Sequence, residues 1–125
     1  FPTRRSSDLI RLTLAQVLME NERVAEAEDL LRQIQERSEA LFRSVKNRFI
    51  TFRSGRLIIL SAVYFGELDK AIQYTQFFEK FREKQFASLS KEDQVLFQRV
   101  YGEIRRIMAQ PDAYHQSALN GFLRP

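Results

Sequence analysis

Gly66-Glu67-Leu68-Asp69-Lys70-Ala71-Ile72 is the stretch that decides the fold. A glycine that permits a tight turn is followed by an apolar pattern of helical spacing, and Ala71 supplies a small side chain where a neighbouring helix must come close. Outward from there, Leu68, Ala71, Tyr74 and Phe78 stand 44 positions after Val24, Ala27, Leu30 and Ile34. The chain reads as one helical unit written twice. A helix pair that cannot bury its apolar face alone stacks on its neighbours, which builds an extended array with a groove. Such an array is a binding scaffold, and the pattern points away from a free-standing enzyme.

The remaining apolar stripes predict further helices. Ile10, Leu14, Val17 and Leu18 predict the first, over about residues 10–20. Val24, Ala27, Leu30, Leu31 and Ile34 predict the second, to about Arg37. Ser38 can cap a third, with Glu39 in its first turn. Leu41, Val45, Phe49 and Phe52 continue that helix, and Ile58, Ile59, Ala62, Val63 and Phe65 resume after Gly55. One long helix over about residues 39–65, kinked at Ser54-Gly55 and ended by Gly66, is expected. Leu68 to about Gln85 forms the fourth, and Phe86 to Leu89 a loop. Ser90 with Asp93 three residues on resembles a capping box for the fifth helix, which runs through Leu96, Val100, Ile104, Ile107 and Met108. Pro111 suits the first position of a weaker sixth helix carrying Tyr114, Ala118 and Phe122. No segment shows sustained period-two alternation, so the fold class is all-α. Antiparallel helix hairpins stacked as a short solenoid satisfy the stripes, and a closed helical bundle is the alternative.

Gly66, Leu68, Ala71 and Ile72 are similar to the turn and second helix of a tetratricopeptide repeat, with Ala27 and Leu30 as a weaker first copy in which Glu22 replaces the glycine. The resemblance covers about residues 12–82, and a third copy around Ala118 matches badly at its flanks. The family's first-helix pattern is poorly kept, with Ile58, Ile59 and Ala62 at the positions compared. A spacing of 44 rather than 34 implies helices longer than usual for the family. The resemblance implies protein or peptide recognition in a groove lined by the first helix of each pair, with no cofactor and no reaction.

Phe1-Pro2-Thr3-Arg4-Arg5-Ser6-Ser7-Asp8-Leu9 resembles the translation of a DNA sequencing adapter, so residues 1–9 are set aside as non-native. Residues 10–125 are then read as one helical-repeat domain, a fragment of a longer protein. The chain has 125 residues, 44% hydrophobic and 29% charged, as in ordinary globular proteins. Its formal charge of +4, partly owed to the adapter-like segment, is too mild to argue for nucleic acid. Eleven Phe and no Trp imply a core of flat rings. The absence of Cys excludes disulfides and thiolate chemistry and fits a reducing compartment; a bacterial cytoplasm is expected. No apolar run is long enough to span a membrane as a helix.

Catalysis needs converging titratable groups. His115 is the single histidine, and the acidic residues Glu20, Glu22, Glu26, Glu28 and Asp29 point in different directions around a helix. No catalytic, cofactor or metal residues are assigned. Gly102 reads as a close-packing position between helices. The sharper signal is the stretch from Ala40 to Gly66, which lacks any acid while holding Arg43, Lys46, Arg48, Arg53 and Arg56. Charge runs usually only solvate a helix face. Lys46, Arg53 and Arg56, however, fall near one face by helical spacing, and a groove lined by them would attract an acidic peptide or another anion. Phe49, Phe52, Phe78, Phe81 and Phe86 read as core, and Phe77 as an exposed ring able to touch a partner. The expected function is thus a non-enzymatic protein- or peptide-binding scaffold, the repeat packed through Ala27, Gly66 and Ala71, within a larger regulatory protein. A ligand-sensing helical input domain of a transcription regulator or signalling kinase is the alternative.

Overall fold

A computed structural model describes Arg11, Leu14, Ala15, Val17, Leu18, residues 20–44 and residues 46–114, with the side chains of residues 113 and 114 left aside. Among these, every regular element is helical. α1 is Val24–Ser44, α2 Arg48–Tyr64, α3 Leu68–Lys84 and α4 Lys91–Ala109, with short 3₁₀ turns at Phe86–Ser88 and Pro111–Tyr114. The described residues ahead of Glu20 are helical as well. No described helix is long and apolar enough to cross a membrane. The adapter-like residues, His115, Ala118 and Phe122 lie outside the described residues.

The helix expected over residues 39–65 is two helices. Ser38 does not cap anything: it sits within α1, 1% exposed, on the buried stripe of Ala27, Leu31, Ile34 and Leu41. A serine surrounded by apolar residues at three- and four-residue spacing stays in the helix, because breaking there would expose the stripe. The break falls instead around Lys46 and Asn47. The Asn47 side chain accepts a hydrogen bond from the Ile50 N–H at 3.2 Å and so caps α2. Ser90 does the same for α4, accepting from the Asp93 N–H at 3.2 Å.

α2 continues through Gly55 without interruption. The glycine there serves approach between helices: a Cβ at that position would lie 2.6 Å from Cε2 of Phe78 and 3.3 Å from Cε2 of Phe42. Gly102 is different. A Cβ on it would meet only the Arg106 side chain, at 3.9 Å, so it is not a close-packing position.

α2 is the centre of the molecule. It packs against α1, α3 and α4, and the Pro111–Tyr114 turn lies against it too. All residues from Leu57 to Tyr64 are buried. The core beside its N-terminal half is aromatic. Phe97 of α4 stands 5.3 Å from Phe52 and 5.5 Å from Phe81, centroid to centroid, with Phe78, Phe86 and Tyr101 around it. The expected stripes are rotated in places. Leu14 and Val17 are 46% and 45% exposed while Ala15 is buried, and Val24, Leu68 and Ile72 are also exposed.

The 44-residue recurrence reappears in the backbone. Gly66 takes a left-handed conformation (φ 76°), and among described non-glycine residues only Glu22, 44 positions earlier, has a positive φ, at 62°. The Glu67 N–H donates to the Ala62 carbonyl and the Arg23 N–H to the Leu18 carbonyl, both at 2.7 Å. Phe65 and Asn21 likewise donate to Ser61 and Val17. This six-to-one bond across a left-handed residue is the Schellman ending of a helix. Ala27 and Ala71, five residues beyond each left-handed residue, are both fully buried.

Candidate binding cleft

Side chains from three helices and a loop enclose a cleft where the α1–α2 loop approaches α3. Phe42 and Arg43 come from the end of α1, Lys46 and Asn47 from the loop, Arg48, Thr51 and Phe52 from the start of α2, and Phe77, Phe81 and Gln85 from α3 and its end. Its volume is about 530 Å³. Gly55 leaves room for Phe42, one of the four lining rings, to approach α2. Phe42 then meets Phe77 edge-on at 4.8 Å and Tyr74 edge-on at 5.1 Å. Burial raises the Tyr74 hydroxyl pKa, helped by the nearby Glu39 carboxylate and opposed by Arg43 and Lys70.

The charged lining is cationic. Arg43, Lys46 and Arg48 are exposed at the rim, and among the described residues no carboxylate lines the cleft. The Arg48 guanidinium lies over the Phe81 ring, 5.2 Å from its centroid, which holds that cation against the aromatic floor. The first turn of α2 contains no acidic residue, so the positive end of its dipole adds to the three cations.

Of the three cations singled out by spacing, only Lys46 lines this cleft. Lys46 precedes α2, so the helical steps that aligned it with Arg53 and Arg56 do not apply. Arg56 is half-buried and makes an ion pair with Glu103 of α4, a helix-to-helix contact. Arg53 is half-buried on α2 outside the lining. Arg43 and Arg48, not selected by spacing, take their place, because the true helix break brings the residues on both sides of it together. Phe77 is half-buried and lines the cleft. The groove expected along the second half of the 39–65 helix, as the first helix of its pair, is corrected by the burial of Leu57 to Tyr64.

Other charged groups fasten helices. Glu67, just before α3, accepts from Arg32 and from Gln35 of α1, both at 3.0 Å. Burial alone would raise the Glu67 pKa, but these two hydrogen bonds and the charges of Arg32 and Lys70 outweigh it and hold the carboxyl below its ordinary range. Lys70 pairs with Glu39 at 3.1 Å. Tyr64 donates to Glu28 at 2.7 Å, and its hydroxyl pKa is raised by burial and by that bond. Glu26 pairs with Arg23 at the surface. Among the described residues no group of three or more His, Asp or Glu side chains is arranged to hold a metal ion. Comparison of the chain with family models, with curated proteins and with solved structures found no match.

Proposed function

We propose that this chain is a tetratricopeptide-like helical-repeat scaffold that recognises a protein or peptide segment, acidic in character, within a larger regulatory protein of a bacterial cytoplasm. The observation that carries the reading is the helix corner repeated at a spacing of 44 residues, with the same left-handed position and the same bonds from Arg23 to Leu18 and from Glu67 to Ala62. Such corners also end helices in other folds, and it is their recurrence at the repeat spacing that favours stacked helix pairs, whose common use is to display a surface to a partner. The test is binding of acidic and basic peptide arrays at low and high salt. Retention of acidic peptides, weakened by salt, supports the scaffold; equal retention of both sets overturns the preference for acid.

A second reading is a closed helical input domain that senses a ligand. The observation favouring it is the burial of α2 from Leu57 to Tyr64, where an open array would present a groove. Thermal stabilisation by a small-molecule set, with no peptide retained, would select that reading.

A further inference from the structure

We infer that the cleft between the α1–α2 loop and α3 anchors the peptide, taking one large apolar side chain flanked by carboxylates. This rests on the scaffold reading above and names the ligand chemistry for it. The first support is an imbalance of charge. Arg23, Arg32, Arg56 and Lys70 each meet a carboxylate. Arg43, Lys46 and Arg48 do not: among the described residues none of the three has a carboxylate partner. They stand within six positions of one another, beside a helix start that has no acid in its first turn. Three like charges and a positive helix end gathered at one rim repel each other, and an arriving group with two or more carboxylates relieves that repulsion.

The second support is the floor. Phe42 and Phe77 are half-buried in the cleft, above the buried Phe52 and Phe81. A volume of about 530 Å³ is in the range of side-chain and small-ligand pockets, enough for an aromatic or branched anchor and too small for a whole helix. Thr51 and Gln85 stand in the lining as hydrogen-bonding groups for the anchor's backbone. Nucleic acid fits this arrangement poorly. The cations form a cluster and not a track, and Phe81 already stacks on Phe97 at 5.5 Å and carries Arg48 over its ring.

The probes are a fluorescein-labelled octapeptide of Asp and Glu around a central Phe, its counterpart with Ser at the centre, and its counterpart with Asn and Gln for the acids. Fluorescence anisotropy is read for the wild-type chain, for Arg43→Glu/Lys46→Glu, and for Arg99→Glu/Arg106→Glu, which changes net charge equally on exposed positions of α4. Circular dichroism checks helicity, and Arg43→Gln/Lys46→Gln serves as the milder pair. The Phe peptide should bind the wild type, and the Ser and neutral peptides should bind about tenfold or more weakly. The cleft pair should lose about tenfold or more, and the α4 pair less than about twofold.

Equal losses in the two charge-reversed proteins would overturn the site, since the general field would then explain binding. Equal binding of the Phe and Ser peptides would overturn the apolar anchor. Tighter, cleft-dependent binding of a labelled single-stranded oligonucleotide would overturn the peptide assignment. If acidic arrays still bind and the cleft variants change nothing, the cleft fails and the scaffold stands. If no peptide binds at all, both fail.

Discussion

The corner at Glu22 and the corner at Gly66 share a backbone turn and differ in what holds them. Both end a helix through a left-handed residue, and both lead to a buried alanine. At the second corner glycine takes that conformation without a Cβ clash, and Glu67 ties the turn to Arg32 and Gln35 of another helix. At the first corner a glutamate is held left-handed, and the adjacent Arg23 side chain pairs with Glu26 of the helix it precedes, at the surface. Local geometry is therefore duplicated while tertiary support is not. The second corner is tied across to another helix, and the first is held only within its own segment.

The largest test of their equivalence is overpacking. Ala71→Leu and Ala27→Leu should each lower stability by about 1–3 kcal/mol, measured by denaturant unfolding, because neither site has room for three more carbons. A neutral Ala27→Leu beside a costly Ala71→Leu would break the equivalence and leave the matching turns as coincidence. Next in size is an exchange of the left-handed residues. Gly66→Ala should cost about 1 kcal/mol, whereas Glu22→Gly should add up to about 1 kcal/mol by removing the strain of a left-handed glutamate. Gains or losses of the same sign at both positions would refute the reading of strain.

The smallest effect is one of pH. Glu67 has its folded pKa held below the ordinary 4.5, so its contribution is fully present above pH 4.5 and is lost as pH falls through the lower folded value. The side chain is a third exposed, so solvent screening keeps the loss under about 1 kcal/mol. Thermal melts of the wild type should lose stability in that acid window, and Glu67→Gln should flatten that part of the profile. An unchanged profile would mean that Arg32 and Gln35 do not fasten the corner.

The all-α class and the corner at Gly66 were legible because glycine, alanine and the apolar spacing agree there. The helix break near Asn47 was not. Ser38 is a good capping residue by type, but its position on a continuous apolar stripe outweighs that preference, whereas the modest Asn47 cap succeeds where the stripe lapses. That error displaced the cleft. Lys46 stands out in the sequence as a cation in an acid-free run, but helical spacing gives it companions on a helix to which it does not belong. Arg43 and Arg48 adjoin it only because the chain turns between them. Val100, Ile104 and Ile107 are buried as their spacing predicts, and only Leu96 stands one position off Phe97, the ring that fills the core on the same face.

The position of α2 has a consequence for how the molecule breathes. A 17-residue helix packed against three others and buried on every side through its C-terminal half cannot open by itself, because each opening would strip several helices at once. The amide hydrogens of its C-terminal half should exchange with solvent only through global unfolding. Those at the exposed corner of Glu22 should exchange through small local openings that leave α2 in place. The molecule is then a slow-exchanging axle with faster ends, and the basic cleft sits at the rim where the axle begins.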